Sequence, residues 1–185
     1  MSVAAAKPPA NAWASRVAAA VGILWLASAA TPTSAAPRIG ERAPTLVLSE
    51  LDGKTFDLAK LRGQVVLVNY WATWCAPCRK EMPTLDAFYR RHHDEGFEMI
   101  GISIDFPRDV EKMRRAAAAV TYPTAVASAI TDDGFGPPGG VPLSYLIDAD
   151  GLVRDMFIAA PNKLLDDVVV PLLPRHAASG GGSTP

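Results

Sequence analysis

Cys75 and Cys78 are the only two cysteines of the chain, and they stand in Trp74-Cys75-Ala76-Pro77-Cys78. The apolar run Val65-Val66-Leu67-Val68-Asn69-Tyr70-Trp71 leads into them, and a helical period follows. A strand that hands a Cys-x-x-Cys pair to the start of a helix brings the two sulfurs within bonding reach. It also aims the first sulfur at a helix N-terminus, where unpaired N–H groups stabilise a thiolate. Such a pair can make and break a disulfide repeatedly, so the spacing points to a thiol–disulfide oxidoreductase. Cys75, at the helix tip, is the expected attacking thiolate. Cys78, one turn in, would attack Cys75 in a mixed disulfide and release the reduced substrate.

Other uses of two sulfurs fit less well. A metal site needs about four ligands, and the other candidates, His92 and His93, are adjacent. Neighbouring helical residues diverge by ~100°, so both could not readily face one ion. Arg79 stands where a haem-attachment motif needs histidine. Two cysteines are too few for a disulfide framework. No cofactor and no metal are expected. Ala76 and Pro77 carry no charge and act on the pair through backbone geometry alone; Pro77 also removes one N–H donor.

The elements around the motif suit one domain. The 185-residue chain has net charge −1 and no visible basic stripe, which gives no reason to expect nucleic acid as a partner. Residues 1–37 read as a targeting segment and linker: Lys7 and Arg16 precede the apolar run Val17 to Ala30, and no acidic residue occurs before Glu41. Ala27-Ser28-Ala29-Ala30 offers a cleavage site, Ser34-Ala35-Ala36 a weaker one. The run is short of the ~20 residues of a spanning helix, but extending it back to Ala12 nearly reaches them, so cleaved signal and retained membrane anchor both stand. Either places the domain outside the cytoplasm, in the periplasm or at the outer face of the membrane.

Residues 38–173 carry the periodic elements. A hairpin around Asp52-Gly53-Lys54 is followed by a short helical turn at Leu58 to Leu61 and a buried strand from Val65 to Trp71. A helix runs from Ala76 to about Asp94 with Met82, Leu85, Phe88 and Tyr89 on one face, kinked by Pro83. Then come a buried strand from Phe97 to Ile104, a helix from Arg108 to Ala119 and a short strand from Tyr122 to Ala127. A Gly/Pro-rich loop spans Thr131 to Gly140. A hairpin turns at Asp148 to Gly151, and a helix covers Asn162 to Leu173. Residues 174–185 form a Gly/Ser tail expected to be disordered. The order implies an α/β fold: a mixed central sheet flanked by helices on both faces, with an N-terminal β-hairpin extension.

Trp71-Ala72-Thr73-Trp74-Cys75-Ala76-Pro77-Cys78-Arg79-Lys80-Glu81-Met82-Pro83, with Gly40 to Leu48, Gly140-Val141-Pro142 and Leu146 to Gly151, resembles the TlpA/ResA/CcmG group of thioredoxin-like proteins. The resemblance implies the thioredoxin fold and reduction of disulfides in exported proteins, as in cytochrome c maturation or cytochrome oxidase copper-site assembly. It implies as partners exported Cys-x-x-Cys proteins and a membrane electron donor of thiol type, with a monomer expected. It makes Glu81 an acid beneath the cysteines, able to exchange a proton with Cys78; the alternative is a solvated charge paired with Arg79 or Lys80. Asn69 takes the place of the buried acid of thioredoxin proper. Pro142, after Val141, matches a cis-proline facing the disulfide, where backbone groups pair with an extended substrate. Trp74 would contact substrate and Trp71 fill the core. Leu143 and the Gly/Pro-rich loop depart from the group beside that groove. A thiol peroxidase is disfavoured because Val68 and Ala72 occupy the Pro and Thr/Ser positions of the peroxidatic loop; a soft-metal binding module is the other alternative.

Overall fold

The computed structural model describes residues 36–159 and 162–174. The targeting segment up to residue 35 and the tail from residue 175 lie outside the described residues.

β1 (Leu46–Glu50) and β2 (Thr55–Asp57) form the expected hairpin, followed by a one-turn 3-10 helix, Leu58–Leu61. Asp57 caps that turn by accepting the Ala59 N–H at 3.1 Å. β3 (Val65–Trp71), α1 (Ala76–His92), β4 (Phe97–Ser103), α2 (Val110–Ala117) and β5 (Thr124–Asp133) follow in alternation. β6 (Leu143–Ile147), β7 (Val153–Phe157) and α3 (Asn162–Val168) complete the order. The seven strands lie as β2-β1-β5-β4-β3-β6-β7. β3, β4 and β5 run parallel, while the hairpins at either side pair antiparallel. This is the mixed sheet with flanking helices that the sequence implies.

All seven residues of β3 are buried. Val65, Leu67 and Trp71 pack with residues of the three α-helices, among them Met82, Leu85, Phe88, Met113 and Leu165. Val66, Val68 and Tyr70 face a second cluster built from Leu46, Leu48, Phe56, Leu58 and Phe135. The sequence reading put helices on both faces; among the described residues that second face carries only the 3-10 turn Leu58–Leu61, with Phe135 packed beside it.

Most boundaries shift by one or two residues, and three elements differ in kind from the sequence reading. β5 runs to Asp133, into the segment expected as loop, because Leu46 and Val47 pair with Asp133 and Asp132. The Thr131 hydroxyl donates to Val47 O, and the Thr45 hydroxyl to Asp132 Oδ1. α3 stops at Val168 and a 3-10 turn, Val170–Leu172, replaces its expected last turn. Pro171 has no N–H to continue the helix. α2 is likewise preceded by a 3-10 turn, Pro107–Asp109.

Burial pushes the phenols of Tyr70, Tyr89, Tyr122 and Tyr145 above their ordinary value of 10.0. Water cannot solvate the phenolate there, and these are all four tyrosines of the chain. An ultraviolet titration should therefore show no phenolate step at pH 10.0 in the folded protein. Because the unfolded chain ionises first, this contribution is intact below that pH and is lost as pH rises beyond it, so ionisation and unfolding should coincide. A phenolate step with the circular dichroism unchanged would contradict the packing.

Candidate active site

α1 begins where the pairing of β3 ends. The carbonyl of Trp71 accepts the Ile104 N–H at 2.9 Å, and Cys75 N–H then turns back to the carbonyl of Ala72 at 3.1 Å. Between them Thr73 is held by Asp105. Its N–H donates to Asp105 Oδ2 at 2.9 Å and its hydroxyl to Oδ1 at 2.7 Å. Ser103 donates a third hydrogen bond to Oδ2 at 2.6 Å.

Cys75 is the N-cap of α1, with extended backbone, and its Sγ accepts the Cys78 N–H at 3.2 Å. An N-cap side chain normally serves the second or third helical N–H. Pro77 occupies the second position and has none, so the sulfur is directed to Cys78. The two cysteines are joined in a disulfide with a Cα–Cα distance of 5.3 Å. Cys75 is 5% exposed and Cys78 0%. The expected exposed end is thus the more accessible one, but both sulfurs are largely covered. Trp74, Ala76 and Pro77 are exposed around them.

One turn below Cys78, Glu81 is buried. The Asn69 side-chain amide donates to Glu81 Oε1 at 3.2 Å and to Ser144 Oγ at 3.0 Å, tying α1, β3 and β6 together. Glu81 is therefore not the solvated charge of the alternative reading; Arg79 and Lys80 are the residues that face water. The Val141–Pro142 peptide is cis. Val141 packs against the cluster that contains Trp71, Cys75, Cys78 and Met82. Trp71 is core, as expected. His92 and His93 sit at the far end of α1, on Glu95 and the carbonyl of Phe97.

Sequence reasoning missed Asp105. Ser103 and Asp105, two apart, share one side at the end of β4, but nothing local announces that Thr73 lies opposite them.

A family model described as AhpC/TSA matches residues 39–157. The chain belongs to the AhpC/TSA family. Thiol-disulfide oxidoreductase ResA from Bacillus cereus is 34% identical over 126 residues, covering 68% of this chain and 73% of that protein. Thioredoxin-like protein YneN from Bacillus subtilis is 31% identical over 127 residues, 67% of this chain and 74% of that one. A thioredoxin-family thiol:disulfide interchange protein from Chlorobium tepidum superposes with TM-score 0.59 at 30% identity, covering 75% of this chain and 99% of that structure. This AhpC/TSA-family chain is a thiol–disulfide oxidoreductase, with Cys75 and Cys78 as its paired sulfurs.

Replacing Asn69 by Leu keeps the branched shape and the number of side-chain heavy atoms but removes the donor to Glu81 and Ser144. Losing a hydrogen bond to a buried polar group costs about 1–3 kcal/mol, so the unfolding free energy of the oxidised variant, read from its denaturant midpoint and slope, should fall by that amount. An unchanged midpoint would show that the amide bridge contributes nothing.

Proposed function

We propose that this oxidoreductase works outside the cytoplasm as a reductant of disulfides in exported proteins. The observation that carries the proposal is the asymmetry of the pair: Cys75 retains some surface beside exposed Trp74, whereas Cys78 has none. In the reduced protein, the Cys75 thiolate attacks a client disulfide, forms a mixed disulfide and releases one client thiolate. Cys78 passes its proton to Glu81 or water and attacks Cys75 Sγ. The Cys75–Cys78 disulfide re-forms and the second client thiolate leaves. Two electrons pass to the client, and a thiol-type membrane donor restores the dithiol.

Trp74, Ala76 and Pro77 on one side and the Val141-Pro142 backbone on the other would hold an extended client segment between them. The clients are of the kind found in cytochrome c maturation or oxidase copper-site assembly, exported proteins bearing Cys-x-x-Cys. Lys7, Arg16 and the apolar run Val17 to Ala30 support export. Against peroxide chemistry, buried Ala72 cannot donate the hydrogen bond that a hydroxyl would. Against a soft-metal module, the other candidate ligands, His92 and His93, sit at the opposite end of α1 from Cys75.

Cys75→Ser should abolish turnover of a model disulfide such as insulin's, while Cys78→Ser should accumulate mixed disulfides with clients in the exporting compartment. Mass spectrometry that finds no such adduct would overturn the client assignment. Glu81→Gln should shift the pH dependence of Cys78 alkylation; an unaltered profile would remove Glu81 from the proton path.

A further inference from the structure

Asp105 holds more than a loop. Its carboxylate is buried at 7% exposure, and all three of its side-chain donors come from the two segments that meet at the redox pair. Its own N–H returns to Ser103 Oγ at 3.2 Å, closing the cluster. The Thr73 N–H that it binds lies two residues before Cys75. With consecutive Cα atoms ~3.8 Å apart, the negative charge is within roughly 10–12 Å of the Cys75 Cα. Asp105, Thr73 and Cys75 are all buried, and charges between buried groups are less screened than at the surface.

We propose that Asp105 is a positioning residue that sets the thiol–disulfide balance of Cys75 and Cys78. Through Thr73 it fixes the turn that makes Cys75 the cap of α1. Through its charge it opposes the stabilisation that the helix tip gives the Cys75 thiolate. A less stable thiolate means a less stable reduced form, so the carboxylate biases the pair towards donating electrons.

The remaining charged groups on the surrounding elements act differently. Glu81 on α1 is held by Asn69, and the buried Asp86 is held by Thr121 and Arg90. Arg79 and Lys80 on the first turn of α1, and Arg108 and Asp109 after Phe106, lie towards solvent, where their fields are damped.

The test is the equilibrium of the full-length protein with glutathione: protein dithiol plus glutathione disulfide gives protein disulfide plus two reduced glutathiones. Asp105→Asn can keep the hydrogen bonds by rotation of the hydroxyls while losing the charge. It should lower this equilibrium constant about tenfold, a rise of ~30 mV in potential, and lower the Cys75 thiol titration. Thr73→Val keeps the carboxylate and the backbone bond but removes one donor that offsets the charge. Its shift should be smaller and opposite in sign. An Asp105→Asn constant within twofold of the parent, or a Thr73→Val shift in the same direction as the Asn variant, would overturn the proposal. If Asp105→Asn does not fold, the sign for Thr73→Val decides. Neither measurement involves a client, so the outcome is independent of which proteins the enzyme reduces.

Discussion

β3 delivers Cys75 to the tip of α1 because the strand's hydrogen bonds stop in an ordered way. The last carbonyl, on Trp71, is taken by Ile104, and the next structured amide, on Thr73, is taken by Asp105. The chain can then leave the sheet, turn within four residues and start a helix with a sulfur as its cap. Had β3 continued its ladder, the cysteines would sit in the plane of the sheet, where neither could face a helix terminus. Burial of all seven β3 residues makes this junction rigid, since sliding the strand by one residue would exchange the two packed faces.

The same burial forces compromises. Polar side chains at the centre of the sheet must find partners, and Asn69 does so by dividing one amide nitrogen between a carboxyl of α1 and a hydroxyl of β6. Its oxygen, and the hydroxyls of Tyr70 and Tyr122, are buried with no protein hydrogen-bond partner among the described residues. A carboxyl at the surface is simple to stabilise with water, but Glu81 is buried. In this dry setting it needs a neutral donor that does not itself titrate, and an amide meets that condition.

The sequence displays what is local. Six apolar or strand-forming residues out of seven define β3, and the period of Met82, Leu85, Phe88 and Tyr89 defines α1. The Cys-x-x-Cys spacing at their junction defines the redox pair. What escapes it depends on residues far apart in the chain. The second half of β5 is polar and reads as loop, yet β1 binds it from more than 80 residues away. No local pattern marks Asp105, whose partner Thr73 lies 32 residues upstream, before α1. The role of Glu81 came from resemblance; its partner Asn69 lies 12 residues upstream on a strand whose pattern alone gives no sign of a polar bridge.

The complete enclosure of Cys78 also bears on damage. Small oxidants reach a protein through its surface, so Cys75 takes the first hit and becomes a sulfenic acid. Its neighbour, already within bonding reach, condenses with it, expels water and returns the pair to an ordinary disulfide before further oxygen can be added. The inner sulfur thereby serves as a built-in repair partner for the outer one.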